Sequence, residues 1–147
     1  MNKKQQKKVN IDGIVIHTED DFAQMRKAGQ LAAKVLDNIT PHVKPGITTG
    51  ELDKICHEFI KDHNATPAPL NYKGFPKATC ISVNHVVCHG IPGDKVLLDG
   101  DILNIDITVI LDGWYGDTSR MFIAGENYSR MAERLVNVTY ESLMRGI

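Results

Sequence analysis

The sequence predicts an α+β fold in which an antiparallel hairpin is covered by helices. Three observations carry that prediction. Apolar residues recur at helical spacing through residues 18–39 and 48–60. From Cys80 the texture changes to alternating, β-branched residues that run to Ile123. Asp112-Gly113 divides that stretch with the residue pair favoured by a two-residue type I′ hairpin turn. Helices first, strands next and one further helix last argue for antiparallel pairing in layers, not for alternating βαβ units.

Residues 1–10 (MNKKQQKKVN) read as a basic, flexible tail, and Ile11 to Ile16 as a strand or an extended lead-in. Thr18 is placed to cap a first helix, with Glu19, Asp20 and Asp21 where the helix dipole favours acids. Phe22, Met25, Leu31, Ala32, Val35, Leu36 and Ile39 form its apolar stripe, which stops before Pro41. Pro45-Gly46 marks a turn, and Thr48 with Glu51 has capping-box spacing for a second helix. Leu52, Ile55, Cys56, Phe59 and Ile60 give that helix its inner face. Residues 64–78 hold three of the six prolines and are expected to form a loop. The run 80–92 reads as a strand, followed by a turn at Pro92-Gly93-Asp94. Asn127 onward returns to helical periodicity, with Gly146 as a candidate C′ residue.

Composition narrows the possibilities without naming a chemistry. With 17 basic and 18 acidic residues the net charge is −1, which argues against a whole-domain DNA-binding surface. No run approaches the ~20 apolar residues of a membrane span. Three cysteines, Cys56, Cys80 and Cys88, leave one unpaired in any disulfide scheme. No secretory signal precedes them, so a reducing, cytoplasmic setting is expected.

The acidic hairpin is the most informative segment. Residues 99–119 contain five aspartates and no lysine or arginine. A turn at Asp112-Gly113 places Asp106 opposite Ser119 and Asp117 opposite Thr108, with all four on one face. Asp106 and Asp117 are then diagonal neighbours, with Cα atoms about 7–8 Å apart. Such a face is either simply solvated or shares a divalent cation that relieves the like-charge repulsion. His85 and His89 lie four apart, but on a strand they would be about 13 Å apart and unable to share an ion. His89, ahead of Gly90 and Pro92, is either a hydrogen-bonded structural histidine or a side chain projecting into a cleft. Cys80 and Cys88 lack the spacing of a zinc knot. His57-Glu58 lacks the H-E-x-x-H pattern and reads as surface.

These residues carry a resemblance. The sequence resembles the amino-terminal half of a type I (bacterial-type) methionine aminopeptidase through Met25-Arg26-x-Ala28-Gly29, Val43-Lys44-Pro45-Gly46, Asn71-Tyr72-x-Gly74-Phe75-Pro76, Cys80-Ile81-Ser82-Val83-Asn84, Cys88-His89-Gly90-Ile91-Pro92, Asp99-Gly100-Asp101, Asn104-Ile105-Asp106 and Asp112-Gly113-x-x-Gly116-Asp117-Thr118-Ser119. The resemblance spans about residues 12 to 147. It implies the pita-bread α/β fold, metal-dependent hydrolysis and removal of the amino-terminal methionine of newly made proteins. It also implies two divalent ions (cobalt, manganese, iron or zinc), with Asp106 chelating one and Asp117 bridging both. His89 would bind substrate and assist catalysis, while Tyr72, Phe75 and Cys80 would line the methionine pocket. Asn84 and Val86 match ligands of a nearby monovalent cation.

The resemblance also implies a gap. The family's remaining ligands, one His and two Glu, and a second catalytic His belong to a carboxy-terminal half. The sequence has no histidine after His89, and Glu126, Glu133 and Glu141 match none of those positions. Residues 11–147 are therefore expected to form a half-domain, carboxy-terminal half absent, that is weakly active or inactive alone. Two other readings are open: a proline-specific pita-bread peptidase, disfavoured by His89-Gly90-Ile91-Pro92, and a non-catalytic module contacting nascent chains or the ribosome through Lys3, Lys4, Lys7 and Lys8.

Overall fold

The computed structural model describes residues 8–147. Its elements are α1 (Glu19–Ile39), α2 (Thr49–Asp62), β1 (Thr66–Pro67), β2 (Cys80–Val83), β3 (Ile102–Leu111), β4 (Trp114–Ile123) and α3 (Arg130–Gly146), with 3-10 turns at Thr40–His42 and Tyr72–Gly74. The α+β prediction holds, and every named strand pair is antiparallel.

Strand β3 organises the sheet. Its full length pairs with β4, while β2 and β1 share its other edge. Alternation then sorts its side chains. Leu103, Ile105, Ile107 and Val109 are fully buried beneath the helices, and Asp106 and Thr108 point to the opposite face. Residues Leu31, Val35, Leu36 and Ile39 of α1 and Leu52, Cys56 and Ile60 of α2 complete one continuous core. Each large aliphatic side chain there contributes about 1.5–3 kcal/mol of burial, an upper bound set by an extended unfolded chain.

Both helix starts follow their capping chemistry. The Thr18 hydroxyl accepts from the Asp21 N–H, and the Asp21 carboxylate accepts from the Thr18 N–H. In α2 the Thr48 hydroxyl accepts from the Glu51 N–H at 3.1 Å, and Glu51 accepts from the Thr48 N–H at 2.8 Å. The hydrogen bonds from Thr48 hold the Glu51 carboxyl below its ordinary pKa. A lowered folded value stabilises above the unfolded pKa, and that contribution is lost as pH falls through the folded value. Thr48→Ala is expected to cost about 1 kcal/mol in denaturant melts. Glu51→Gln is expected to flatten the acid side of the stability profile.

Several sequence expectations are corrected. Phe22 and Met25 are about half exposed, and the buried stripe of α1 begins only at Ala28. Residues 11–16 form no strand. A lone bridge joins Val9 to Val15 around a turn closed by the Asn10 side chain. Within the 64–78 loop, Thr66–Pro67 adds a two-residue strand. The strand expected over 80–92 ends at Val83. Asn84 takes a left-handed backbone (φ 53°): its N–H still donates to the Ile102 carbonyl, but its side-chain oxygen accepts from the Ile102 N–H and its side-chain amide donates to Asp101. Gly146 is the last residue of α3, not a C′ residue beyond it. No residue of α3 is buried.

Candidate functional site

The hairpin register matches the sequence reading pair by pair. Asp106 faces Ser119, Thr108 faces Asp117 and Leu111 faces Trp114. Asp112 and Gly113 both have positive φ (51° and 83°), as a type I′ turn demands. Asp106 and Asp117 are thereby diagonal neighbours on the face away from the core.

That face forms one wall of a cavity of about 860 Å³, within the range of small-molecule sites. Asp106, Thr108, Tyr115 and Asp117 come from the hairpin, Cys80 from β2 and His89 from the segment after it. Tyr72, Lys73 and Phe75 come from the loop turn. The six site residues expected from sequence, Asp106, Asp117, His89, Tyr72, Phe75 and Cys80, therefore meet in one cavity. Ser119 is not among the lining residues, and neither are Asn84 and Val86.

Two anchors shape the cavity wall. Asp53, buried in α2, accepts through one carboxylate oxygen from the Ala78 N–H (3.0 Å), the Thr79 N–H (2.8 Å) and the Thr79 hydroxyl (2.9 Å). This ties the end of the loop to the helix layer just before Cys80. Gly90 lies so close to β2 that an added Cβ would sit 2.8 Å from the Ile81 carbonyl carbon. The Ile81 N–H donates to the Gly90 carbonyl at 2.9 Å, and the Gly90 N–H donates to the Ser82 hydroxyl at 3.1 Å. His89 is left in a left-handed conformation (φ 53°) at the cavity edge.

Electrostatics set Asp106 apart from the other perturbed acids. Burial, then the nearby Asp117 charge, raises the Asp106 carboxyl above its ordinary pKa, with His89 opposing the shift. Asp101 moves the other way. Burial would raise it, but hydrogen bonds from the Leu98 N–H and Asn84 and the proximity of Lys95 lower it. Burial, reinforced by Asp106, pushes the Cys80 thiol up to about 11, so at neutral pH it is an uncharged, apolar wall. All three cysteines are free thiols.

Asp106 and Asp117 are hard oxygen donors facing one cavity, and their mutual repulsion is the condition a divalent cation relieves. They fit a metal as part of a ligand set. Among the described residues no group of three or more His, Cys, Asp or Glu is placed to hold an ion. Asn84 commits both ends of its side-chain amide to Asp101 and Ile102.

Asp53, Lys73, Thr108 and Tyr115 were not singled out as site residues from sequence. Thr108 was placed opposite Asp117 by the hairpin register, and an acid interrupting the inner stripe of α2 was the available signal for Asp53. Lys3, Lys4 and Lys7 lie outside the described residues. Among the described residues no helix is long and apolar enough to cross a membrane.

Known proteins share this fold. The chain is 64% identical over 134 residues to the methionine aminopeptidase of Rickettsia prowazekii, covering 91% of this chain and 51% of that protein. It is 58% identical over 132 residues to the methionine aminopeptidase of Escherichia coli K12, covering 88% of this chain and 50% of that one. The chain spans about half the length of the curated relatives it matches. The crystal structure of the Rickettsia prowazekii enzyme superposes with a TM-score of 0.88 over 90% of this chain and 53% of that chain. A Xaa-Pro dipeptidase from Bacillus anthracis shares the fold (TM-score 0.77) at 22% identity, covering 90% of this chain and 36% of that chain. The α+β arrangement is thus half of the pita-bread fold. The family model described as metallopeptidase family M24 matches residues 23–147, and the chain belongs to that family.

Proposed function

We propose that residues 11–147 form the amino-terminal half of a metal-dependent methionyl aminopeptidase domain, which removes the first methionine from newly made cytoplasmic proteins. The observation that carries this reading is the convergence of Asp106 and Asp117 on one cavity with His89, Tyr72, Phe75 and Cys80. Asp106 and Asp117 would hold part of a two-ion site taking cobalt, manganese, iron or zinc. When bound, the ions supply Lewis-acid polarisation of the carbonyl and a water activated at neutral pH.

The chain's own groups do the rest. Phe75, the Tyr72 ring and the uncharged Cys80 thiol offer an apolar, polarisable wall to a methionine thioether. His89 is placed to hydrogen-bond the substrate carbonyl or the departing amine. The Asp53 carboxylate and the backbone contacts of Gly90 hold the segments that carry them. The high identity to methionine aminopeptidases supports methionine over an Xaa-Pro substrate. The lysines of the tail, Lys3, Lys4, Lys7 and Lys8, would add a contact to the ribosome.

Manganese titration separates the parts of this reading. The chain should bind Mn²⁺ weakly, at ~0.1–1 mM or above, as expected for so few ligands. Mn²⁺ should raise the melting temperature of the native chain but not of Asp106→Asn or Asp117→Asn. Without metal, Asp106→Asn should melt higher than the native chain, since it removes a carboxylate held near a like charge. Release of methionine from Met-Ala-Ser by the chain alone should be slight. Mn²⁺ stabilisation that survives both substitutions would overturn the metal assignment.

A further inference from the structure

The cavity lining carries charges of both signs. Asp106 and Asp117 supply the acidic part, and Lys73 is the one lysine or arginine among its lining residues. Lys73 is held in the left-handed region (φ 48°, ψ 32°), which is costly for a side chain of this kind and calls for a cause. The turn around it imposes that backbone. The Asn71 N–H donates to the Phe75 carbonyl at 2.8 Å, and the Phe75 N–H donates to the Tyr72 carbonyl at 2.9 Å. The root of the side chain is therefore fixed, while its ammonium rests 5.5 Å from the centre of the Tyr72 ring. Among the described residues Lys73 has no ion-pair partner.

A ligand that satisfies both charges must carry a positive or metal-binding group and an anion. An inorganic anion or a phosphate ester would meet Lys73 but be repelled by the aspartates. A peptide amino terminus followed by a carboxylate meets both requirements. We propose that Lys73 forms a carboxylate-recognition subsite, taking an acidic side chain or the chain-end carboxylate of a peptide whose amino terminus lies at Asp106 and Asp117. This inference rests on the peptidase reading above and adds to it a preference among methionine-initiated peptides.

Equilibrium binding to the full chain in Mn²⁺ tests it, with peptides confirmed intact by chromatography. The probes are Met-Ala-Glu-amide, its isostere Met-Ala-Gln-amide, and Met-Ala-Gln with a free carboxylate. An exposed ion pair should favour the carboxylate-bearing peptides by about 1.5-fold to fivefold. Preference for the first identifies the side chain as the source, and preference for the third identifies the chain end. Lys73→Glu should reverse the preference. Lys73→Asn should erase it, and because asparagine tolerates the left-handed backbone, that loss is not attributable to a collapsed turn. Equal binding of all three peptides by the native chain overturns the Lys73 subsite and leaves the peptidase reading intact. No binding of any of them overturns both.

Discussion

Gly116→Ala should destabilise the protein by about 3 kcal/mol or more, lowering the melting temperature by roughly 6–12 °C for a chain of this length. An added Cβ at Gly116 would sit 2.6 Å from the Gly29 backbone nitrogen and closer still to the Ala28 carbonyl. The obstacle is helix backbone, which cannot swing aside as a side chain would. Helix α1 must then lift from β4, uncovering the buried row beneath it. The same displacement moves Asp117, the next residue, so metal stabilisation should weaken together with the fold. Gly29→Ala is the internal control. It lies within α1 with nothing inside 4 Å of its added Cβ, and should stabilise by about 0.5–1 kcal/mol. Circular-dichroism melts of both variants give the comparison. A Gly116→Ala protein that melts like the native chain would show that the helix does not pack so closely.

Asp53→Ala should cost about 3 kcal/mol, nearly as much, for a different reason. Its carboxylate is the shared acceptor for the Ala78 N–H, the Thr79 N–H and the Thr79 hydroxyl, all in a buried setting. Truncation leaves those donors without a partner, and an unsatisfied buried donor costs about 1–3 kcal/mol. Asp53→Asn keeps one acceptor oxygen and should lose about half as much. Amide exchange distinguishes this from a general loss of stability. Ala78 and Thr79 should lose protection out of proportion to residues in β3. The consequence reaches the cavity, since the loop released at Thr79 carries Tyr72 and Phe75 and leads directly into Cys80.

The hairpin shows how far local sequence can reach. Asp112-Gly113 is a turn whose backbone geometry belongs to those two residue types, and a two-residue turn sets every pair that follows it. Asp106, Thr108, Asp117 and Ser119 could therefore be assigned to one face before any tertiary contact was considered. Caps at Thr18 and Thr48 were legible for the same reason, since donor and acceptor are three residues apart. His89 illustrates the limit. Its β-branched neighbours Val86 and Val87 suggest a strand, yet Asn84 leaves the sheet to bond Asp101 and Ile102, residues far along the chain. Propensity loses to a tertiary hydrogen-bond arrangement there, and the histidine reaches the cavity from an irregular segment.

Phe22 and Met25 mark the same boundary from the other side. Both fit the apolar period of α1, but whether a stripe is buried depends on what the sheet offers opposite it. In α3, Met131, Leu135, Val138 and Leu143 have helical spacing and remain exposed. By itself, the sequence determined the helices with their caps, the hairpin register and the pairing of the two aspartates, because each depends on groups only a few residues apart or on a turn that sets a register. Only the tertiary structure decided that Tyr72, Lys73, Cys80, His89 and the aspartates line one cavity, and that Asp53 and Gly116 hold its walls. Those outcomes depend on close approach between segments distant in the chain, where one carboxylate or one missing Cβ settles the fit and no local pattern records it.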